Sequence, residues 1–440
     1  MKIAILGFGK EGQSAYRYYD KAGNDITVHD NDSKIHLPSG TQAVLGDTAL
    51  NDLDSYGYDL IARSPGLRID KTQIKTPITT PTAEFMKVCP AEIIGVTGTK
   101  GKGTTATLIE QMLTESGQRT HLLGNIGTPA LDELPNIKPS DVVVYEMSSF
   151  QLYDIQSSPH VAVCLFVTED HLDWHSDLAE YHAAKGNIFK YQTSSDVAVY
   201  YTQNPTSKTL AKLSPATTRY SYGDNGDVVV RDGKINAFGS NIIDIKAVKL
   251  PGEHNLQNIC AAICAVWPYT QDISAIKKVI ETFAGLPYHI EHVLDKAGVS
   301  YYNDSFSTNP VSAIAAVESF EQPIVLFLGG YDKQANFTEL VDVLMTRKIR
   351  KIITYDKTGS DIQKLLTSKG ITDVEYISGD DFKAIIAAGT NYAQPGDVVL
   401  FSPACASWGM FSDYKSRGQI FNDIITSIWL LLMFTEPKYN

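Results

Sequence analysis

Two glycine-rich turns, each preceded by a short apolar run and followed by a helix-forming stretch, constrain the fold of this chain more than any other feature. The first is Gly7-Phe8-Gly9-Lys10-Glu11-Gly12, after Lys2–Leu6. The second is Gly95-Val96-Thr97-Gly98-Thr99-Lys100-Gly101-Lys102-Gly103-Thr104-Thr105, at the end of the run that starts at Glu92. It leads into a helix with Leu108, Ile109, Met112 and Leu113 on one face. Strand, tight turn and helix in that order form the first half of a crossover between parallel strands. The pattern therefore predicts parallel sheets covered by helices.

The alternation continues along the chain. Val142–Tyr145 and Val161–Val167 are continuous apolar runs, as strands buried on both faces require. Asp25–His29, Asp196–Tyr201, Ile324–Leu328, Ile352–Tyr355, Val374–Ile377 and Val398–Phe401 also read as strands, and Asp232-Gly233 inside Val228–Ile235 signals a hairpin. Breaks near Lys87 and Leu286-Pro287 divide the 440 residues into 1–88, 89–286 and 287–440, three α/β domains each on a mostly parallel sheet.

The formal net charge is −12 and no long basic run is present. That argues against nucleic acid, whose binding rests on neutralising phosphates with Lys and Arg. The five cysteines lie mostly in apolar runs, which predicts buried free thiols and fits a reducing cytoplasm. Cys260 and Cys264 are one helical turn apart, without other Cys or His at metal spacing, so zinc is not expected. The N-terminus enters the first strand directly, unlike a signal peptide. No stretch reaches the ~18–20 apolar residues of a membrane span. A cytoplasmic chain is expected, with the apolar segment Ile424–Phe434 packed on the body or disordered rather than making a membrane-surface contact.

In the first turn, glycines let the backbone approach a phosphate seated at a helix N-terminus. Asp30, ending the next strand, can accept hydrogen bonds from a ribose. NAD and a UDP-sugar carry the same diphosphate, and this turn does not choose between them. The second turn is more specific. A glycine-rich loop with a lysine before a helix wraps its amides round a triphosphate, the lysine reaches the outer phosphates, and a hydroxyl binds Mg²⁺. Gly103 follows Lys102 where Ser or Thr is usual, so Thr104 or Thr105 must supply the hydroxyl.

From this loop onward the sequence resembles the Mur ligases. Thr97-Gly98-Thr99-Lys100-Gly101-Lys102 is similar to their ATP loop. Gly124-Asn125-Ile126-Gly127, Tyr145-Glu146-Met147-Ser148-Ser149-Phe150-Gln151-Leu152 and Thr168-Glu169-Asp170-His171-Leu172-Asp173 follow in the family's order. Tyr181-His182-Ala183-Ala184-Lys185, Gly252-Glu253-His254-Asn255 and Asn303-Asp304-Ser305 come next. Gly329-Gly330-Tyr331-Asp332-Lys333 and Ser402-Pro403-Ala404-Cys405-Ala406-Ser407 complete the set, so the resemblance covers Lys2 to about Ile425. The short first domain with Ser64-Pro65-Gly66, and the ending with Phe411, Tyr414 and Arg417-Gly418, resemble the branch that adds D-glutamate.

The resemblance implies a Rossmann-like first domain holding UDP-N-acetylmuramoyl-L-alanine and a central P-loop ATPase-like domain holding ATP and Mg²⁺. A Rossmann-like third domain would help to bind D-glutamate, in a monomeric ligase of peptidoglycan synthesis. Gly98, Thr99, Lys100, Gly101, Lys102, Gly103 and Thr104 are then the phosphate loop, and Asn255, Asn258, His289 and Asp304 complete the ATP site. Gly9, Lys10, Glu11, Asp30, Asn31, Ser64, Asn125 and Ser148 are assigned to the UDP-substrate. Thr308, Lys333, Ser407 and Tyr414 are assigned to D-glutamate. Thr104, Glu146, His171 and Lys185 are the implied metal-binding residues, with Lys185 carbamylated by CO₂ and so changed from a cation into a carboxylate-like anion. Lys102, Glu146, His171 and Lys185 are the implied catalytic residues.

Some positions depart from the family pattern. Besides Gly103, Lys100 stands where Asn is usual, His289 where an Arg near the ATP phosphates is common, Phe306 where Lys is frequent and Tyr414 where Phe is frequent. Competing readings are a related ligase, folylpolyglutamate synthetase included, an NAD-dependent oxidoreductase, and a non-catalytic nucleotide sensor. The His171–Lys185 block and the N-terminal domain speak against a folate ligase. An oxidoreductase would leave Lys102 and its loop idle.

Overall fold

The computed structural model describes residues 1–21, 23–125, 128–172, 174–250, 252–331 and 335–433. The chain divides into two compact units, Met1–Phe283 and Ala284–Asn440. The first unit carries two sheets and the second unit one, all mostly parallel with helical crossovers, so the chain is α/β.

The first sheet has five parallel strands in the order Gln42–Leu45, Asp25–Asp30, Lys2–Leu6, Leu60–Arg63, Ile78–Thr79. Its central strand Lys2–Leu6 feeds the first glycine turn and the helix Lys10–Asp20. A β-carbon on Gly12 would stand 1.9 Å from the Gly7 carbonyl oxygen, so only glycine lets the helix start this close to the strand end.

The second sheet has nine strands, and its parallel core runs Thr218–Tyr222, Val197–Tyr201, Val161–Cys164, Glu92–Thr97, Val142–Glu146, Thr120–Gly124. The expected hairpin is present as Val228–Arg231 against Lys234–Ala237, extended by Ser240–Asp244. The apolar run from Val161 leaves the sheet after Cys164. Beyond it the Phe166 carbonyl accepts from the Thr99 amide at 2.8 Å, and Val167 exchanges hydrogen bonds with the Asn204 side chain at 3.0 and 3.2 Å. Backbone bonding to the glycine loop and to Asn204 thus replaces ladder bonding.

In the second unit the order is Glu291–Lys296, Val299–Asn303, Val398–Phe401, Ile324–Gly329, Ile349–Tyr355, Val374–Ile377, with only the first pair antiparallel. The C-terminal helix Tyr414–Met433 buries Phe421, Ile424 and Ile425 against this sheet's core; of the expected apolar segment Ile424–Phe434, the side chains of 428–433 and Phe434 lie outside the described residues. Among the described residues no helix is long and apolar enough to cross a membrane. All five cysteines are free thiols, four of them buried.

Arg63 ties the two sheets of the first unit together. Its guanidinium is 1% exposed, binds Asp154 beyond the second sheet, and donates to the carbonyls of Ser64, Pro65 and Leu67. Removing one partner of a buried ion pair typically costs about 3–5 kcal/mol. Arg63→Met should therefore lower stability by that order in urea unfolding of the whole chain; a loss under ~1 kcal/mol would show that the pair does not hold the sheets together.

Candidate active site

Three neighbouring parallel strands of the second sheet, Val161–Cys164, Glu92–Thr97 and Val142–Glu146, deliver the principal chemistry at their C-terminal ends. The middle one runs into the loop Gly98–Gly101 and the helix Lys102–Glu115. A β-carbon on Gly98 would lie 2.7 Å from the Leu165 β-carbon, and one on Gly101 would lie 2.3 Å from the Asn258 side-chain oxygen. Close packing by Leu165 and Asn258 therefore requires glycine at both positions. Asn258 also donates to Asn255 at 3.0 Å, so the two asparagines assigned to the nucleotide do lie together beside the loop.

Lys102 does not project from the loop. It is half-buried, and its ammonium donates to the carbonyls of Gly98 at 3.1 Å and Thr99 at 3.0 Å. Burial lowers its pKa, while Glu146 and Asp170 pull it back up. Thr104, in the first turn of the helix, is half-buried, whereas Thr105 is fully buried with a hydroxyl lacking any hydrogen-bond partner among the described residues. Lys100 is exposed.

Lys185, on the helix Leu178–Lys190, reaches the same carbonyl. Its ammonium is 2% exposed, donates to Gly98 at 2.8 Å and lies 4.8 Å from the Tyr181 ring centroid. Burial first, and the charge of Lys102 second, bring its pKa down to about 7. Tyr181 in turn holds the loop through its hydroxyl, 2.9 Å from Thr99 Oγ1.

Glu146 is buried. One carboxylate oxygen accepts from Asn125 at 3.2 Å, and the other has no partner among the described residues. Burial raises its pKa, partly countered by Lys102. His171 is exposed and in the left-handed region at φ 55°, with Asp170 3.5 Å from its Nε2 and the Phe150 ring 4.8 Å away. Among the described residues no group of three or more His, Cys, Asp or Glu is gathered at metal-holding distance.

A cleft of about 540 Å³ lies in the first unit between the first glycine turn and the segments that follow the strands Thr120–Gly124 and Val142–Glu146. All eight residues assigned to the UDP-substrate line it: Gly9, Lys10, Glu11, Asp30, Asn31 and Ser64 from the first sheet, Asn125 and Ser148 from the second. Asp30 is already engaged, accepting from the amides of Phe8 at 2.7 Å and Asp32 at 2.9 Å. Ser64 donates to the Gly7 carbonyl at 2.8 Å. Both therefore shape the turn as well as face the cleft. Phe150 and Gln151 also line it; the sequence reading missed them because a lone aromatic and a helix-capping glutamine carry no signal of their own.

In the second unit Asp304 is buried and wrapped: it accepts from Ser402 at 2.7 Å, from Ser307, and from the Ile290 amide at 3.2 Å, and burial raises its pKa to about 7. It braces the sheet's end rather than projecting from it. Buried Arg417 donates to the Ser305 carbonyl at 2.8 Å and to the Cys405 carbonyl at 3.0 Å, joining two sequence motifs. Gly329 and Tyr331 donate backbone N–H groups to Pro403 and Ala406, both at 2.9 Å, which brings a third motif beside Ser407. Thr308 is half-buried just ahead of the helix Pro310–Glu318; Lys333 lies outside the described residues.

Three departures from the family pattern meet in one place. The His289 and Phe306 rings stack at 3.7 Å, and the Tyr414 ring meets Phe306 edge-on at 5.3 Å. Burial lowers the pKa of His289, so this stack holds a neutral imidazole near pH 7.

The chain is similar to known proteins over nearly its whole length. Residues 96–266 match the Mur ligase middle domain, and residues 290–405 match the Mur ligase glutamate ligase domain. The chain is 34% identical to a UDP-N-acetylmuramoylalanine–D-glutamate ligase of Clostridium botulinum over 97% of both chains. It is 33% identical to the enzyme of that name from Clostridium perfringens, over 97% of this chain and 96% of the relative. Among solved structures, the UDP-N-acetylmuramate–alanine ligase of Thermotoga maritima superimposes with a TM-score of 0.58 at 18% identity, covering 97% of this chain and 100% of that one. The MurF ligase of T. maritima, solved in complex with ADP, gives 0.58 at 19% identity over 97% and 95%. At these identities the two structures establish a shared fold.

The lysine pair yields a direct test. Nitrogen NMR of labelled lysine side chains should show Lys185 titrating near pH 7, and Lys102→Met should move that midpoint upward by removing the neighbouring positive charge. An ordinary lysine midpoint in the wild type would contradict the geometry.

Proposed function

The chain belongs to the Mur ligase family, and we propose that it joins D-glutamate to UDP-N-acetylmuramoyl-L-alanine at the expense of ATP. The observation that carries the residue assignment is the convergence of Lys102 and Lys185 on Gly98 within a glycine loop that opens a helix. The 34% identity over 97% of the chain to D-glutamate-adding ligases supports the choice of substrates. The first sheet acts as a Rossmann-like UDP domain, the second as a P-loop ATPase-like domain, and the second unit as the amino-acid domain.

A carboxylate does not react with an amine at neutral pH, because its leaving group would be too poor. Transfer of the ATP γ-phosphoryl group to the L-alanyl carboxylate makes an acyl phosphate. The D-glutamate amine then attacks the acyl carbon, the amide bond forms, and inorganic phosphate leaves. Such transfer asks the protein mainly for positioning and positive charge. Lys102 turns from the Gly98 and Thr99 carbonyls to the phosphates, while the loop amides hold them. Glu146, His171 and Thr104 would hold Mg²⁺; the unpaired buried oxygen of Glu146 fits a hard cation. When bound, the metal neutralises phosphate charge.

Lys185 is the modified residue of this proposal. A carbamate needs a neutral amine, and burial beside Lys102 favours one. A carbamylated Lys185 would present oxygens in place of an ammonium. The cleft residues Gly9, Lys10, Glu11, Asp30, Asn31, Ser64, Asn125 and Ser148 hold the UDP part, with Asn255 and Asn258 near the ATP. Thr308, Lys333, Ser407 and Tyr414 bind D-glutamate.

Phosphate release measured over a panel of acceptors and amino acids tests the reading. It should require UDP-N-acetylmuramoyl-L-alanine and D-glutamate together; turnover with neither, or hydride transfer with NADH, would overturn it. Lys102→Ala should keep the fold and lose at least 10²–10³-fold in kcat, on the order found for removing one charge-stabilising donor. Thr104→Val should raise the Mg²⁺ requirement. Thr105→Val should change activity little, since it removes a hydroxyl without a partner. Lys185→Ala should be nearly inactive and partly rescued by short carboxylic acids; full activity without rescue would remove the carbamate from the scheme.

A further inference from the structure

Glu11 sits in the first turn of the helix Lys10–Asp20 and lines the cleft where the UDP-substrate is proposed to bind. A carboxylate is an unexpected group beside a diphosphate. Lys10 is the sole cation among the described lining residues, and Asp30 shares the cleft. The two acids differ in their surroundings. Asp30 is compensated by the amides of Phe8 and Asp32 at 2.7 and 2.9 Å. Glu11 is half-buried, and no hydrogen bond or ion pair holds it among the described residues.

Its charged neighbours give it no relief. Asp132, from the short helix Ala130–Glu133, faces it, and the guanidinium of Arg17 is committed to Asp132 at 2.6 and 2.9 Å. The other titratable group facing it is the buried phenol of Tyr145, held neutral by desolvation. Burial, and then Asp132, push the Glu11 carboxyl up to about 7.

We propose that Glu11 binds the UDP-substrate in its protonated form, donating its O–H to a diphosphate oxygen, so that substrate binding takes up a proton. This rests on the assignment of the cleft to the UDP-substrate. A protonated carboxyl is both a donor and uncharged. An ionised one at the same place repels the diphosphate and offers it only lone pairs. A diphosphate diester keeps its charge through the neutral range, so the pH dependence of binding belongs to the protein. Below the midpoint of Glu11 the proton is already present and affinity is flat. Above it the proton must be taken from solvent, and affinity falls by about tenfold per pH unit until the carboxyl of the complex ionises too.

Calorimetric titration of the full chain with UDP-N-acetylmuramoyl-L-alanine, from about pH 6 to about 8.5, tests this. The wild type should show the flat and falling limbs, with a midpoint near 7. In buffers of different ionisation enthalpy it should take up close to one proton per ligand on the falling limb. Glu11→Gln, which keeps a donor and cannot ionise, should bind with a flat profile and no such uptake. Asp132→Asn should move the midpoint to lower pH by removing the facing negative charge. Tight but pH-independent binding by the wild type would overturn the role of Glu11 and leave the cleft assignment standing. So would a Glu11→Gln profile that parallels the wild type. Absence of binding at every pH would remove the cleft assignment and this inference together. The proton-uptake measurement needs only the wild-type protein, so the test does not depend on any variant folding.

Discussion

Two lysine ammonium groups share one carbonyl oxygen, and much of the active-site region follows from that arrangement. Lys102 and Lys185 donate to the Gly98 carbonyl at 3.1 and 2.8 Å. A single carbonyl dipole cannot neutralise two cations in a buried place: burial draws both lysines toward the neutral form, and the charge of Lys102 adds to that effect on Lys185. An anion brought into the loop relieves the conflict, which is the electrostatic condition for a loop that takes triphosphate. The same conflict distinguishes the two lysines. Lys102 opens the helix that follows the loop and is half-buried. Lys185 comes from a separate helix, at 2% exposure.

Two residues of the cleft also touch Glu146 and His171. Asn125 lines the cleft and donates to Glu146 at 3.2 Å; Phe150 lines it and meets the His171 ring at 4.8 Å. Arg63 fixes the Ser64–Leu67 edge of the cleft to the segment that follows Phe150. In the proposed ligase the ligands would sit where strand ends in a parallel sheet leave room for them. In this unit two such edges are joined by a buried ion pair.

Legibility in the sequence followed how local the determining interaction is. The glycine turns, the central parallel strands and the hairpin at Asp232-Gly233 were readable because their signals lie within a few residues. Short edge strands such as Gln42–Leu45 and Ile78–Thr79 were not, since an edge strand needs neither a long apolar run nor alternation on both faces. Lys185 resembled any solvated helical lysine. Its burial depends on Gly98 and Tyr181, contacts that only the folded chain provides. Asp304 was assigned to the ATP site by resemblance, and only packing shows three donors closing round it. The resemblance to a family supplied these positions as names; it did not supply their physical state.

The stack of His289, Phe306 and Tyr414 shows how departures that look independent along the chain can be one event in the structure. At a ring separation of 3.7 Å, His289 and Phe306 cover each other's apolar faces, and Tyr414 closes the edge of the pair. An arginine or lysine introduced alone at either position would lose its ring partner and leave the other exposed, so the changes are favourable mainly as a set. The base beneath them is firm. Arg417 grips the Ser305 carbonyl and hydroxyl, and the Phe306 amide donates to the Tyr288 carbonyl at 3.0 Å. What this face of the second unit offers is therefore a rigid aromatic surface rather than positive charge, because burial keeps His289 neutral near pH 7. In the proposed ligase, positive charge for phosphoryl transfer then falls more heavily on Lys102 and the metal. In that proposal the loop, with two buried lysines on one carbonyl, is the part built to hold an anion.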